Sequence, residues 1–235
     1  MSLIPYESRI KAGELLVQFV LKTHSEIFHD LKVNSEDIFV FTIPNGGIPV
    51  AEGFCKILNL KYDLLIVRKI KIPYNPEAGF GAVTTDGTVL INQMLLSQLH
   101  LSKEQIDSSI QKTKIEIQDR IIYYKKQNIM REEHSSHIQN KVIFIMDDGL
   151  ASGFTMLAGI KMIKKYKPKK IYVCVPTAPY HTILLLKNEL DDIICPNIRK
   201  TTWFAVADAY KHWYDVPDSE VLEILSQSKS YINNK

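Results

Sequence analysis

Two adjacent carboxylates, Asp147 and Asp148, stand between an apolar run, Val142 to Met146, and a loop of mostly small residues, Gly149 to Gly153, that opens a helix at about Thr155. At the carboxyl end of a parallel strand, such a loop points free backbone N–H groups and a helix N-terminal dipole at one spot, which suits a phosphate. Ala151, Ser152 and Gly153 let a phosphate reach the backbone, and the hydroxyls of Ser152 and Thr155, on either side of Phe154, add donors. Two carboxylates at a buried strand end are unfavourable unless a donor or a cation faces them. Vicinal ribose hydroxyls, or a metal, meet that need. A sugar phosphate with two hydroxyls beside its phosphate arm satisfies both halves of the segment.

A second loop carries related chemistry. Ile38 to Ile43 is an apolar run too short for a helix, stopped by Pro44, Asn45, Gly46 and Gly47. The glycines free the backbone for close approach to an anion, and the helix that begins near Pro49 adds a second N-terminal dipole. Arg68, Lys69 and Lys71 follow a strand read at Leu64 to Val67 and supply positive charge beside that loop if the sheet is parallel. Lys161, Lys164, Lys165, Lys167, Lys169 and Lys170 read as a solvated face rather than an RNA patch. His134 and His137 lack an obvious third ligand, and Cys55, Cys174 and Cys195 form no CxxC pair, so the thiols read as buried and reduced.

The elements that position these residues alternate. An amphipathic helix carries Ile10, Gly13, Val17, Val20 and Leu21; apolar strands are read at 38–43, 64–67, 142–146 and 171–175, with a short one at 192–195 and helices between them. Buried strands alternating with helices imply a parallel sheet. Lys69 to Phe80, with Pro73, Pro76 and Gly79, reads as a long loop that closes over a ligand; Ala82 to Ile91 reads as a hairpin turning at Asp86-Gly87 in a type I′ turn. Ser102 and Gln105 make a capping box for a long helix with a stripe at Ile106, Ile110, Ile117, Ile121 and Tyr124, running to about Met130. The C-terminal stretch holds Trp203, Phe204, Tyr210, Trp213 and Tyr214 and turns helical from about Asp218.

Composition fits one α/β domain. The 235 residues are 46% hydrophobic and 23% charged, and a net charge of +3 falls well short of a dedicated nucleic-acid binder. No run approaches the roughly 18 apolar residues of a membrane helix, and the charged N-terminus does not read as a signal peptide, so a soluble, cytoplasmic protein is expected.

The segment 142–155 resembles the phosphoribosylpyrophosphate (PRPP) motif of the type I phosphoribosyltransferases: apolar residues, two acids, then Ser152-Gly153-Phe154-Thr155. The resemblance extends to an uncharacterised branch of that superfamily through Ile43 to Ala51, Val67 to Lys69, Pro73 to Glu77 with Gly81 to Val83, Val175 to Pro179, and the ending from Ala205 to Val221. It implies a single domain over 1–235: a mostly parallel sheet flanked by helices (about 36–195), a small hairpin, and an aromatic covering segment (about 196–235). The implied reaction moves the 5-phosphoribosyl group from PRPP to a nitrogenous acceptor with Mg²⁺ and release of pyrophosphate. By resemblance, Asp147 and Asp148 hold the ribose hydroxyls and the metal indirectly, through water or those hydroxyls, and Ala151 to Thr155 hold the 5-phosphate. Asn45, Gly46, Gly47, Arg68 and Lys69 receive the pyrophosphate, Lys69 and Glu77 come near the reacting centre, and Thr177 and Trp203 contribute to substrate binding. The branch usually carries Arg where this chain has Asn45. A homodimer is expected. The rival reading is a non-catalytic regulator that senses PRPP or a nucleotide on the same fold.

Overall fold

Strand β1 (Ile38–Thr42) is buried along its whole length, as a central strand covered on both faces must be. The computed structural model describes residues 4–24, 35–124, 131–201 and 203–232. Around β1 the chain runs in order through helix α1 (Arg9–Thr23) before it, then α2 (Gly47–Leu58), β2 (Tyr62–Leu64), β3 (Val67–Ile72), β4 (Asn75–Thr84) and β5 (Val89–Ile91). Helices α3 (Gln93–Gln98), α4 (Lys103–Tyr123) and α5 (Arg131–Ile138) lead to β6 (Val142–Met146), α6 (Phe154–Lys164), β7 (Lys170–Cys174) and β8 (Thr177–Pro179). The described chain continues through α7 (Tyr180–Leu186), β9 (Asp192–Ile194), β10 (Asn197–Arg199) and α8 (Asp218–Gln227).

The main sheet is parallel, in the order β2-β1-β6-β7-β9. Its two faces bury separate clusters. Val40, Phe144, Met146 and Tyr172 pack against Leu16, Val17, Phe54 and Ile117 on one side. Phe39, Phe41, Ile143, Ile145 and Val173 meet Met156, Ile160 and Ile163 on the other. Burial of each such side chain stabilises the fold by roughly 1.5–3 kcal/mol. Cys55, Cys174 and Cys195 are buried free thiols, and burial raises each thiol pKa.

The register of β1 on β6 has the main consequence for function. Thr42 lies opposite Met146, and the Ile43 N–H donates to the Met146 carbonyl at 3.0 Å, so the loops after both strands leave the same sheet edge side by side. In open α/β sheets that edge is where ligands bind.

Two sequence expectations fail here. The strand expected at Leu64 to Val67 is split: the chain pairs with β1 over Tyr62–Leu64, then leaves the main sheet, and Val67–Ile72 joins a separate antiparallel sheet with β4 and β5. The stretch Lys69 to Phe80 is therefore not a loop. Ile70 and Ile72 point inward while Lys69 and Lys71 point outward, a period-2 pattern that the neighbouring prolines disguise. Pro73 and Tyr74 form the turn, and Pro76 falls where the register slips between Asn75 and Gly79, a position that needs no ladder N–H.

The hairpin at Asp86-Gly87 forms as expected, but only Gly87 has positive φ (80°), so its turn is not type I′. Asp86 instead accepts from the Thr84 hydroxyl and from the N–H and hydroxyl of Thr88. Helix α4 carries the expected capping box and buries Ile117 and Ile121; its expected extension to Met130 lies outside the described residues. Helix α1 buries Ala12, Leu16, Val17 and Val20, while Ile10 and Leu21 of the expected stripe stay about two-fifths exposed. No helix among the described residues is long and apolar enough to cross a membrane.

Candidate active site

The acid pair sits where β6 ends. Asp147 Oδ1 accepts from the Asp148 N–H at 2.8 Å. Burial pushes the Asp147 carboxyl well above its ordinary value, and the neighbouring Asp148 charge adds to the rise. Burial also raises Asp148, but Arg9 opposes it: Arg9 Nε lies 2.8 Å from Asp148 Oδ2, with side-chain exposures of 6% and 13%.

Arg9 is the first residue of α1, and sequence reasoning missed it. Nothing local signals a partner 139 positions away. Its guanidinium lies 4.2 Å from the Trp213 ring centroid and 5.3 and 5.4 Å from those of Tyr214 and Tyr210, and Nη2 donates to the Tyr214 carbonyl at 2.9 Å. The Tyr210 hydroxyl donates to the Asp148 carbonyl at 2.6 Å. The covering segment is tied down from the other side, where Tyr6 N–H donates to the Ala209 carbonyl and Lys211 N–H to the Tyr6 carbonyl. Part of the C-terminal aromatic stretch thus reaches the acids, and its rings enclose an arginine of the same chain.

The two glycine-bearing loops close in on this pair. A Cβ on Gly46 would lie 2.0 Å from Asp148 Oδ2, so only glycine lets the loop after β1 approach the carboxylate so closely. After β6, Gly153 precedes α6 with φ 79°, a conformation that favours glycine and turns the chain into the helix. Gly153 is the capping position. The first helical bond runs from Leu157 N–H to the Gly153 carbonyl, and the N–H groups of Ala151 through Met156 have no hydrogen-bond partner among the described residues. Ala151 and Ser152 are exposed, and Phe154 and Thr155 half-buried. Thr177 is buried beneath Gly149, its hydroxyl donating to the Asn197 carbonyl and its own carbonyl accepting from Leu150 N–H.

Other candidates lie differently from the expectation. Asn45, which follows a cis peptide bond, uses its whole side chain internally. Its Nδ2 donates to the Val216 carbonyl and to Asp218 Oδ1, both at 2.8 Å, and its Oδ1 accepts from Arg120 at 3.2 Å and from the Tyr124 hydroxyl at 2.9 Å. Arg68 lines a cleft of about 440 Å³ together with Lys71, Arg120 and Asp218. Lys69 and Glu77 are exposed on the β3–β4 hairpin, where Lys69 Nζ donates to the Glu77 carbonyl. Trp203 projects into solvent, 90% exposed. Lys161 and Lys164 pair with Glu189, and Lys165 with Asp86, so those lysines do not present a bare cationic patch. His137 stacks on Phe39 at 4.7 Å.

A parallel sheet with a row of free N–H groups and an acid pair at its carboxyl edge defines an open α/β protein whose candidate site lies at that edge. The chain belongs to the phosphoribosyl transferase domain family, whose sequence profile matches residues 8–212. It is 27% identical over 197 residues to two curated Mycobacterium tuberculosis proteins, from strains H37Rv and CDC 1551, that are named as phosphoribosyl transferases. The match covers 84% of this chain and 43% of theirs, so the chain spans less than half the length of these relatives. The crystal structure of TT1426 from Thermus thermophilus shares the fold, with a TM-score of 0.71 and 23% identity over 94% of this chain and 97% of that one.

Proposed function

We propose that the protein transfers the 5-phosphoribosyl group of PRPP to a nitrogenous acceptor. The observation that carries this reading is the convergence at one sheet edge of the free N–H groups of Ala151 to Met156, the carboxyls of Asp147 and Asp148, and the Gly46 approach to Asp148. The 5-phosphate rests on the Ala151–Thr155 loop. The ribose hydroxyls donate to the acid pair, with Arg9 orienting the Asp148 carboxylate and opposing the rise that burial imposes on its pKa. As the C–O bond to pyrophosphate breaks, positive charge develops on the ribose ring, and buried carboxylates stabilise it more strongly than water would. The segment carrying Tyr210, Trp213 and Tyr214 excludes water from that edge.

Two carboxylates beside a diphosphate suit Mg²⁺, which is commonly held by one or two acids, substrate phosphates and waters rather than by a protein cage. Asp147 and Asp148 would hold it through water, and the ion would neutralise charge on the leaving group. Arg68 supplies protein charge to the pyrophosphate, with Gly46 and Gly47 giving the backbone approach. Asn45 does so only after giving up its internal partners, and this one feature favours the second reading, a PRPP- or nucleotide-sensing regulator.

Incubation with PRPP, Mg²⁺ and a panel of purines, pyrimidines and other amines, with pyrophosphate release recorded, separates the two. Acceptor-dependent release is expected. Binding of PRPP with no release across the panel would favour the regulator.

A further inference from the structure

The network around Asn45 joins three separate parts of the chain: the loop after β1, helix α4 through Arg120 and Tyr124, and the first residue of α8, Asp218. Arg120 Nη1 donates to Asn45 Oδ1, to the Tyr124 hydroxyl at 2.8 Å, and to Asp218 Oδ1. The cleft beside this network is lined by Arg68, Lys71 and Arg120 and by Glu116, Asp119 and Asp218. Lys71 pairs with Glu116 at 2.9 Å, and Asp119 is exposed at the rim. Arg68 differs. Its side chain is half-buried and makes no hydrogen bond or contact ion pair among the described residues, and burial together with the Arg120 charge lowers its pKa. A desolvated guanidinium that feels the Glu116 and Asp218 charges but touches no carboxylate, next to one whose counter-ion is a single carboxylate on another segment, is an arrangement an anion would relieve.

We infer that Asp218 is an internal anion that a diphosphate displaces, and that Arg120, with Arg68, is the protein's charge for that group. The inference rests on the PRPP reading and adds to it an affinity-setting residue on each side of the exchange. When a diphosphate enters the cleft, Arg120 passes from Asp218 to a phosphate oxygen and Asn45 loses its bond to Asp218. The start of α8 then keeps only the Asn45–Val216 bond to the loop after β1 and is held more loosely. No bond to carbon or phosphorus changes in this step. Because Asp218 must leave, mono-anions with a single weak contact compete poorly and polyphosphates well, which makes the pair specificity-determining.

Calorimetric titration with inorganic pyrophosphate tests this on wild type, Asp218→Asn, Arg120→Met and the double variant. Asp218→Asn is expected to bind about tenfold more tightly and Arg120→Met about tenfold more weakly, the worth of one charge-assisted hydrogen bond, with the gain lost in the double variant. Asp119→Asn removes a charge from the same cleft without freeing Arg120, and it should change affinity by less than about twofold. An equal gain from Asp119→Asn, or a gain that persists without Arg120, overturns the exchange. Wild-type protein supplies a readout free of folding effects: exchange of the Val221 N–H, bonded to the Pro217 carbonyl, should accelerate on adding pyrophosphate. Unchanged or slower exchange overturns the inference. Adenosine 5′-monophosphate serves as the second probe. If it binds wild type and not Gly153→Val while Asp218→Asn leaves pyrophosphate affinity unaltered, the exchange fails alone; if neither probe binds, both readings fail.

Discussion

Arg9→Met removes the guanidinium that faces Asp148 and leaves a carboxylate at 13% exposure beside a second buried acid. At an effective dielectric near 20 and about 4 Å between charge centres, the lost attraction is roughly 4 kcal/mol. Breaking a buried pair by deleting one partner commonly destabilises by about 3–5 kcal/mol, in agreement. Methionine can still pack among Tyr210, Trp213 and Tyr214, so the loss of packing is small beside the loss of charge. For a chain of this size each kcal/mol moves the melting temperature by roughly 2–4 °C, so calorimetry at pH 7 should show a fall of about 6–20 °C. The sign of the pH dependence follows from Arg9 acting against the burial that raises Asp148. Its contribution is present while Asp148 is ionised and vanishes as pH falls through that carboxyl's titration, so wild type and variant should converge in acid. Asp148→Asn should abolish most of the effect of Arg9→Met. A fall below about 1 kcal/mol at pH 7, or a gap unchanged in acid, would refute the view that this pair is a coupled, desolvated unit.

Asp147 has a folded-state pKa above its unfolded value near 3.9, so its contribution to stability is complete below about pH 4 and is lost as pH rises through the folded value. The unliganded Asp147→Asn variant should therefore melt higher than wild type at pH 7 and level with it near pH 4; a lower melting temperature at pH 7 would contradict this. Gly153→Val places a side chain at φ 79° with its Cβ 2.6 Å from Thr182 Cγ2, which should destabilise by about 1–2 kcal/mol or more and abolish nucleoside 5′-monophosphate binding by calorimetry. Asn45→Arg breaks four internal hydrogen bonds and sets a guanidinium against Arg120, so a loss of about 2–3 kcal/mol in urea denaturation is expected, and equal stability would show the network to be dispensable.

The main sheet was legible because its strands are continuous apolar runs: 38–42 and 142–146 announce themselves by composition, and the acids and small residues after β6 identify its end. The β3–β4 hairpin was hidden because Pro73, Pro76 and Gly79 outweighed a four-residue alternation at Lys69 to Ile72, and only pairing with a distant strand turns such an alternation into structure. Arg9 was illegible for a different reason. A lone arginine at a helix start looks like any solvated cation, and its burial depends on a covering segment some 200 residues later. Asn45 was legible as part of a glycine-bearing loop after a buried strand, but its four partners come from α4 and its C-cap, from α8 and from the chain just before α8, and no local pattern encodes them.

The central claim is that the phosphate end of PRPP rests on Ala151 to Thr155 while its ribose faces Asp147 and Asp148. Calorimetric titration of PRPP with Mg²⁺ into wild type, Gly153→Val and Asp148→Asn tests it most directly. Saturable binding to wild type, none to Gly153→Val and a weakening of about tenfold or more for Asp148→Asn are expected. Equal affinity in all three, with each variant folded, would contradict it.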